Sequence, residues 1–433
     1  MSPVPAAVAR NTNSATAGFE QGARGMAVGA GVLPELYPVP GVRLGTVSAG
    51  IKTPGRKDLV LLELAQGAHC AAVFTRNAFC AAPVTVAREH LGLCQAQPRY
   101  LLVNTGNANA GTGEAGLVAA KDCAAAVAAL ASVSPREVLP FSTGVIGEPL
   151  PVAAINAAIP TALAALNPEG WADAAAGIMT TDTRPKGCSL RFRVQDREYT
   201  ITGIAKGAGM IRPNMATMLA YVATDMAVAP ALLQQLLGAA VETTFNRITV
   251  DGDTSTNDAC VLVATAAAGN PVVVDGDSPL CLALRNALEE VCLALAQGLV
   301  RDGEGASKFV TVQVNGGRSE QECLDVAFTI AHSPLVKTAL FASDPNWGRL
   351  LAAIGRAGLA DLQVERVSVY LNDVLIAAGG CRARSYTEEQ GVAAMAPEEI
   401  VIRVDLERGE HAAAVWTTDF SYDYVRINAE YRS

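Results

Sequence analysis

Between Lys206 and Asp225 the chain reads KGAGMIRPNMATMLAYVATD, a glycine turn that runs through a proline to a threonine opening an apolar run. Gly207 and Gly209 permit φ > 0 and a close backbone approach, and Pro213 pushes Arg212 toward extended geometry, so residues 206 to 214 form a shaped loop. Thr217 then begins TMLAYVA, which reads as a buried strand. A threonine hydroxyl is a poor nucleophile unless a base sits beside it, and with no histidine nearby the available base is its own α-amine. That amine exists only once the Ala216–Thr217 peptide bond is broken. It then has a pKa of about 7.7–8.0, which suits a general base near neutral pH. The β-branch of threonine limits χ1 and keeps the hydroxyl close to the amine. The same residues also read, more plainly, as an ordinary loop-to-strand junction.

Other chemistries have less support. The four histidines, His69, His90, His332 and His411, lie in neighbourhoods poor in other ligands or nucleophiles, which argues against a zinc site or a Ser-His-Asp triad. DGDTSTND, residues 251 to 258, looks like a calcium loop, but Thr256 occupies the position where the EF-hand pattern needs glycine. It reads as a polar turn between a strand and the next apolar run. GTGEAG, Gly111 to Gly116, satisfies the G-x-G-x-x-G spacing of a dinucleotide site and has Glu137 about 20 residues on. That fingerprint wants its first glycine directly after a strand, whereas here a loop, NTGNANA (104 to 110), follows the strand expected to end near Val103. A glycine-rich structural turn fits better. A Walker A loop is absent, because Lys206 precedes its glycines.

The elements that must hold these residues come from periodicity. Strand-like runs (59 to 65, 99 to 103, 364 to 371, 398 to 406) alternate with alanine-rich helical windows (114 to 132, 229 to 243, 279 to 300), predicting a mixed α/β protein with no fixed repeat. The 433 residues, half of them apolar, allow a large core and two or three structural units packed tightly together. The formal charge of −9, from 42 acidic against 33 basic residues, comes without a basic cluster, which argues against nucleic acid as a partner. Ten cysteines without a C-x-x-C pair read as buried thiols of a reducing compartment. The apolar runs stop short of the roughly 20 residues a membrane span needs. Residues 1 to 30, small, polar and glycine-rich, lack the charged start of a secretory signal and read as a disordered extension of a cytoplasmic protein. An organelle-targeting reading rests only on Arg10, Arg24 and the hydroxyl residues.

The segment K-G-A-G-M-x-x-P-N-M-A-T-M-L resembles the self-cleavage segment of ornithine acetyltransferases, the glutamate N-acetyltransferases of cyclic arginine biosynthesis. NTGNANAGTG (104 to 113), STGVIGEPLP (142 to 151), IMTTDTRPK (178 to 186), DGDTSTND, RDGEGASK (301 to 308), SDPNWGR (343 to 349) and YVRINAEYRS (424 to 433) look like that family's stretches in its order. They cover the chain from about residue 35 to its last residue.

The resemblance implies that Thr217 is the nucleophile, released by self-cleavage into an α chain over 31 to 216 and a β chain over 217 to 433. It implies an oxyanion hole at Thr143 and Gly144, a hydroxyl and a backbone N–H aimed at the charge that develops on the acetyl oxygen. Lys206 would take a substrate α-carboxylate and Glu304 a substrate amine. Thr180 or Thr181 would line the pocket, and Asn428 and Ser433 would form a terminal binding pair, with the chain end buried near the site.

The implied reaction is ping-pong acetyl transfer from N-acetylornithine to glutamate through an acetyl-threonine, in a pocket that excludes water. No metal or bound cofactor is implied. Acetyl-CoA is the second donor of a bifunctional reading. The implied fold is an αββα sandwich of the self-processing N-terminal-nucleophile kind, with a second α/β unit in the C-terminal half and an α2β2 assembly. Three rivals keep their own signatures. A self-processing aminopeptidase or amidohydrolase would cleave itself but pass the acyl group to water, a nucleotide-binding oxidoreductase would rest on GTGEAG, and a binding protein would remain one intact chain.

The intact mass of the denatured protein, with N-terminal sequencing, is expected to give two chains, the second beginning Thr-Met-Leu-Ala. Thr217→Ala is expected to yield one uncut chain without transferase activity. Wild-type transfer rates in that variant would overturn the assignment.

Overall fold

The computed structural model describes Val28, residues 31 to 212 and 218 to 430, and the backbone of Phe19–Glu20. Ala216, Thr217 and Ser433 lie outside those residues, as does most of the segment 1 to 30. Within that segment Phe19–Glu20 (β1) pairs antiparallel with the strand Lys186–Val194 (β7), at Phe192 and Arg191.

The longest apolar runs become the centre of the molecule. Leu219–Thr224 (β9) and Ala259–Ala264 (β10) are parallel neighbours, and every residue in both is buried. Two covered faces explain why their sequences are continuous apolar runs rather than alternations. With His69–Phe74 (β4) and Arg197–Lys206 (β8) they form a six-stranded sheet in the order β1-β7-β8-β9-β10-β4. A second sheet has the order β2-β3-β5-β6, from Val42–Val47 (β2), Leu59–Leu64 (β3), Tyr100–Asn107 (β5) and Val138–Val145 (β6).

Side-chain alternation assigns the layers. Leu219, Tyr221, Ala223, Val261 and Val263 share one core with Val60, Leu62, Leu101 and Phe141, so the two sheets face each other. On the outer face of the first sheet Ala220, Val222, Cys260 and Leu262 pack with helices Pro230–Thr243 (α5) and Pro279–Arg301 (α6). On the outer face of the second, Leu59, Leu61 and Leu102 pack with Gly113–Ala131 (α2) and Val152–Ala164 (α3). The result is the helix-sheet-sheet-helix sandwich expected above. The helix Ala82–Leu93 (α1) lies against α2 and β6, and Trp171–Gly177 (α4) inserts Trp171, Ala174 and Ala175 into the core between the sheets.

Local chemistry sets the boundaries. Helix α6 starts where the Ser278 hydroxyl accepts the Cys281 N–H and Pro279 supplies the first turn. Its inward residues Leu284, Leu288, Val291, Leu295 and Leu299 recur at three and four and are fully buried, each contributing about 1.5–3 kcal/mol.

The C-terminal half builds a second α/β unit with its own core. Its sheet has the order β14-β13-β12-β15-β11-β16, from Phe309–Gly317 (β11), Ser368–Leu371 (β12), Val374–Ala378 (β13), Cys381–Arg382 (β14), Glu399–Asp405 (β15) and His411–Thr418 (β16). Helices Glu320–Ala331 (α7), Pro334–Phe341 (α8), Trp347–Gly355 (α9) and Glu388–Met395 (α10) cover it. The helix Tyr422–Ala429 (α11) then returns the chain to the first unit, where the Ser421 hydroxyl donates to the Gly305 carbonyl at 2.6 Å. No helix among the described residues is long and apolar enough to cross a membrane.

One difference from the sequence reading bears on the site. β5 runs on to Asn107 and β6 to Val145, so NTGN belongs to a strand rather than a loop. Parallel pairing of Gly106 with Gly144 across an irregular register carries these poor strand formers. The two sheets are also pinned together by Asn257, whose side-chain amide donates to the carbonyls of Ala108 at 2.6 Å and Ser142 at 2.9 Å. Asn257→Ala would leave both buried carbonyls unpaired. It is expected to lower stability by about 1–3 kcal/mol in urea denaturation.

Candidate active site

The end of β6 forms one wall of a cleft. Gly144 has φ +137°, and a Cβ there would sit 2.3 Å from the Gly106 carbonyl carbon and 2.5 Å from the Asn107 nitrogen, so only glycine fits. The preceding Thr143 accepts a hydrogen bond from the Lys206 ammonium at 2.8 Å. With a cation donating to that oxygen, the threonine's own proton is directed elsewhere and can be given to a developing anion. Asparagines hold this wall. Ser142 donates to Asn104 Oδ1 at 2.6 Å, Asn104 donates to the Asn107 carbonyl, and Asn107 donates to the carbonyls of Glu148 and Pro149. GTGEAG has a packing cause: a Cβ on Gly116 would lie 2.0 Å from Thr112 Oγ1 and 2.6 Å from Asn109 Oδ1.

A buried charge cluster forms the floor. Lys186, fully buried, reaches Asp182 and Asp302 at 2.5 Å each. Asp182 also accepts the N–H groups of Thr180 at 2.8 Å and Gly207 at 2.7 Å, and Asp302 accepts from the amide and hydroxyl of Thr183. Burial opposes ionisation of Asp182, but Lys186 and Lys206 outweigh it and hold its carboxyl well below the usual range. Burial draws the Lys206 ammonium below the ordinary lysine value, against Asp182 and Asp258, which hold it up. Burial pushes Asp258 well above the carboxylate range, Ser255 and Lys206 notwithstanding, and its Oδ2 has no hydrogen-bond partner among the described residues.

The glycine turn is strained and clamped. Positive φ occurs at Gly207 (+146°) and Met210 (+55°) rather than at Gly209. Gly209 serves the close approach instead, because a Cβ there would meet the Glu304 carboxyl carbon at 2.4 Å. Asp251 accepts the N–H groups of Met210 at 2.6 Å and Ile211 at 2.9 Å, while Val250 N–H donates to the Ile211 carbonyl and the Thr254 hydroxyl to that of Arg212. DGDTSTND is therefore a clamp on the segment leading to residue 213, beyond the polar turn expected. A left-handed methionine costs of order 1–3 kcal/mol, and the paired acceptors of Asp251 offset it.

Thr143, Gly144, Thr180, Thr181, Lys206, Glu304 and Asn428 all line one cleft of about 220 Å³. Glu304, itself buried, accepts from the Asn428 amide at 2.8 Å. Asn428 is exposed on α11 and lines the cleft from that last helix, while the expectation of a buried chain end at Ser433 falls outside the described residues. Sequence reasoning missed Asp182, Lys186, Asp302, Asp251, Asp258 and Asn257 as individuals, although each lies inside a stretch quoted above. Charges enclosed by short polar residues were the available signal.

Asp182→Asn would leave Lys186 and Lys206 short of a counter-charge and is expected to cost about 3–5 kcal/mol in urea denaturation at neutral pH. Because the folded pKa of Asp182 is depressed, its stabilisation is complete above the free aspartate value of about 3.9 and is lost as the pH falls through the lower folded value. The variant should lack that part of the acid destabilisation.

The model of the ArgJ family matches residues 43–433. The arginine biosynthesis bifunctional protein ArgJ of Pseudomonas syringae pv. tomato is 59% identical over 408 residues, covering 94% of this chain and 100% of its own length. The protein of the same description from Pseudomonas fluorescens is 58% identical over 408 residues, with the same shares covered. A crystal structure of the arginine biosynthesis bifunctional protein from Bacillus halodurans is 38% identical, with a TM-score of 0.46 over 48% of this chain and 97% of that one.

Proposed function

This chain belongs to the ArgJ family, and from that premise we propose that it transfers the acetyl group of N-acetylornithine to glutamate in arginine biosynthesis, and also acetylates glutamate from acetyl-CoA. The observation that carries the reading is the convergence of Lys206, Thr143 and Gly144 on one cleft with Glu304 and Asn428, at the end of the strand from which the chain runs on to Thr217.

Thr217 Oγ attacks the acetyl carbonyl carbon while its α-amine takes the hydroxyl proton. The amide C–N bond then breaks, the proton passes to the departing nitrogen, and ornithine leaves an acetyl-threonine ester. The glutamate α-amine attacks that ester, yields a proton to the threonine oxygen, and departs as N-acetylglutamate. Gly144 N–H and the Thr143 hydroxyl receive the charge of both tetrahedral intermediates, and Lys206 keeps that hydroxyl aimed. The Lys206 ammonium also attracts the substrate carboxylate, and Glu304 a substrate amine. Of the two threonines, Thr181 is the substrate contact, because both the amide and the hydroxyl of Thr180 are directed at Asp182. By the family resemblance Ser433 is assigned to substrate binding together with Asn428. No metal or resident cofactor enters these steps.

The free α-amine comes from the same attack turned inward. Thr217 Oγ takes the Ala216 carbonyl, the peptide C–N bond breaks, and water hydrolyses the resulting ester. The antiparallel pairing of β8 with β9, from Lys206 opposite Leu219 to Ile201 opposite Thr224, would then keep an α chain of 31 to 216 and a β chain of 217 to 433 together. Two such pairs form an α2β2 assembly in the cytoplasm.

Initial rates with both amino acids varied are expected to give the parallel reciprocal plots of a ping-pong reaction, with an acetylated Thr217 peptide trapped when glutamate is withheld. Intersecting plots without that peptide would overturn the mechanism. Lys206→Ala is expected to self-cleave yet lose about 10- to 100-fold in kcat/KM, the worth of a hydrogen bond to a charged group.

A further inference from the structure

The wall that carries Gly144 faces two cavities. Besides the cleft already described, a second cavity of about 260 Å³ shares four lining residues with it, Gly144, Val145, Thr180 and Thr181, but is lined by none of Lys206, Glu304 and Asn428. Helix α11 divides the two: Asn428 belongs to the amino-acid cleft, Ile427 and Glu430 to the second cavity. The remaining wall is the loop between β2 and β3, IKTPGRKD, which contributes Lys52 and Arg56.

That loop is built rather than loose. Buried Asp58 accepts the N–H groups of Ala49 at 2.5 Å and Ile51 at 2.7 Å, and a Cβ on Gly106 would meet the Lys52 Cβ at 3.1 Å. Arg56 donates to the carbonyls of Met179 at 2.6 Å and Thr180 at 3.3 Å. Among the described residues both of its hydrogen-bond partners are uncharged, so no paired carboxylate offsets its charge. Lys57, by contrast, pairs with Asp173 at 2.8 Å. Among the described residues that line the second cavity, the charged ones are Lys52, Arg56 and Glu430.

Two acetyl donors must present the same carbonyl to the same Gly144 N–H, but their leaving groups differ. An amino acid is small and zwitterionic, and fits between Lys206 and Glu304. A thioester of a phosphorylated carrier has a long thin arm with anionic phosphates, which calls for further cations beyond Lys206, and the second cavity presents Lys52 and Arg56. We propose that the second cavity takes the arm of acetyl-CoA, with Lys52 and Arg56 meeting its phosphates, so that each donor reaches the oxyanion wall from its own side. This rests on the acetyl-CoA activity proposed above. In that step Thr217 Oγ attacks the thioester carbon, the C–S bond breaks, and the hydroxyl proton leaves on the CoA thiol. The resulting acetyl-threonine is the same intermediate that glutamate discharges.

The test compares both donors in Lys52→Glu, Arg56→Glu and the double variant, each as the full chain after self-cleavage. The KM for acetyl-CoA is expected to rise about tenfold or more, while kcat/KM for N-acetylornithine changes less than about twofold. Adenosine 3′,5′-bisphosphate is expected to compete with acetyl-CoA in the wild type and to lose that effect in Arg56→Glu. A parallel loss of both reactions would mean that Arg56 acts only by holding Thr180, and would overturn the site. An unchanged KM for acetyl-CoA in active variants would overturn it as well. A wild type that transfers from N-acetylornithine but never from acetyl-CoA would instead remove the donor itself, and with it the site.

Discussion

A carboxylate enclosed away from water must take every hydrogen bond from the protein, and Asp182 does so from three directions. It receives the Lys186 ammonium, the Thr180 amide and the Gly207 amide, so one side chain joins the loop carrying Thr180 and Thr181, the start of β7 and the end of β8. Lys186 extends the tie to Asp302, two residues before Glu304. Three walls of the cleft are thus referenced to one buried ion network. Such networks are weak sources of net stability because desolvation opposes the Coulomb attraction. Their effect here is geometric: moving any member strands a charge, so the walls are held to one arrangement.

The sandwich explains why these groups meet. β8 runs antiparallel to both β7 and β9, so its end at Lys206 lies beside the starts of those two strands, and parallel β10 begins at the same edge. Asn257, one step before Asp258 and the start of β10, fastens that edge to the ends of β5 and β6 in the facing sheet. Strand ends from two sheets therefore supply the lysine, the oxyanion wall and the clamp of Asp251, while the long helix α6 delivers Asp302 and Glu304 just past its last turn. The apolar core between the sheets keeps these polar ends at a fixed separation, because its packing leaves little freedom to shift.

Within that frame the polar motifs divide their labour. NTGNANA, read as a loop, supplies asparagines that bind backbone carbonyls and allow β5 and β6 to continue through glycines. KGAGM stores a left-handed methionine beside the segment that leads to residue 217, and DGDTSTND holds it there. Left-handed non-glycine residues held by such hydrogen bonds cluster at functional sites.

The sequence by itself determined a mixed α/β protein, the sandwich being implied only by the family resemblance, and it singled out 206 to 217 as the stretch proposed to react. The unbroken apolar run TMLAYVA read as a buried strand. Helical spacing located α2, α5 and α6 to within a residue or two, and the glycine, proline and threonine of 206 to 217 announced a turn with unusual chemistry. These signals are local, because periodicity and backbone conformation are set by neighbours in the chain. The tertiary structure alone decided that Asp182, Lys186 and Asp302, up to 120 residues apart, share one buried network. It also decided that Asn428 lines the cleft from the last helix, and that a second cavity shares Gly144 with it. Burial, desolvation and the meeting of strand ends depend on which faces pack, and no single stretch of residues carries that information.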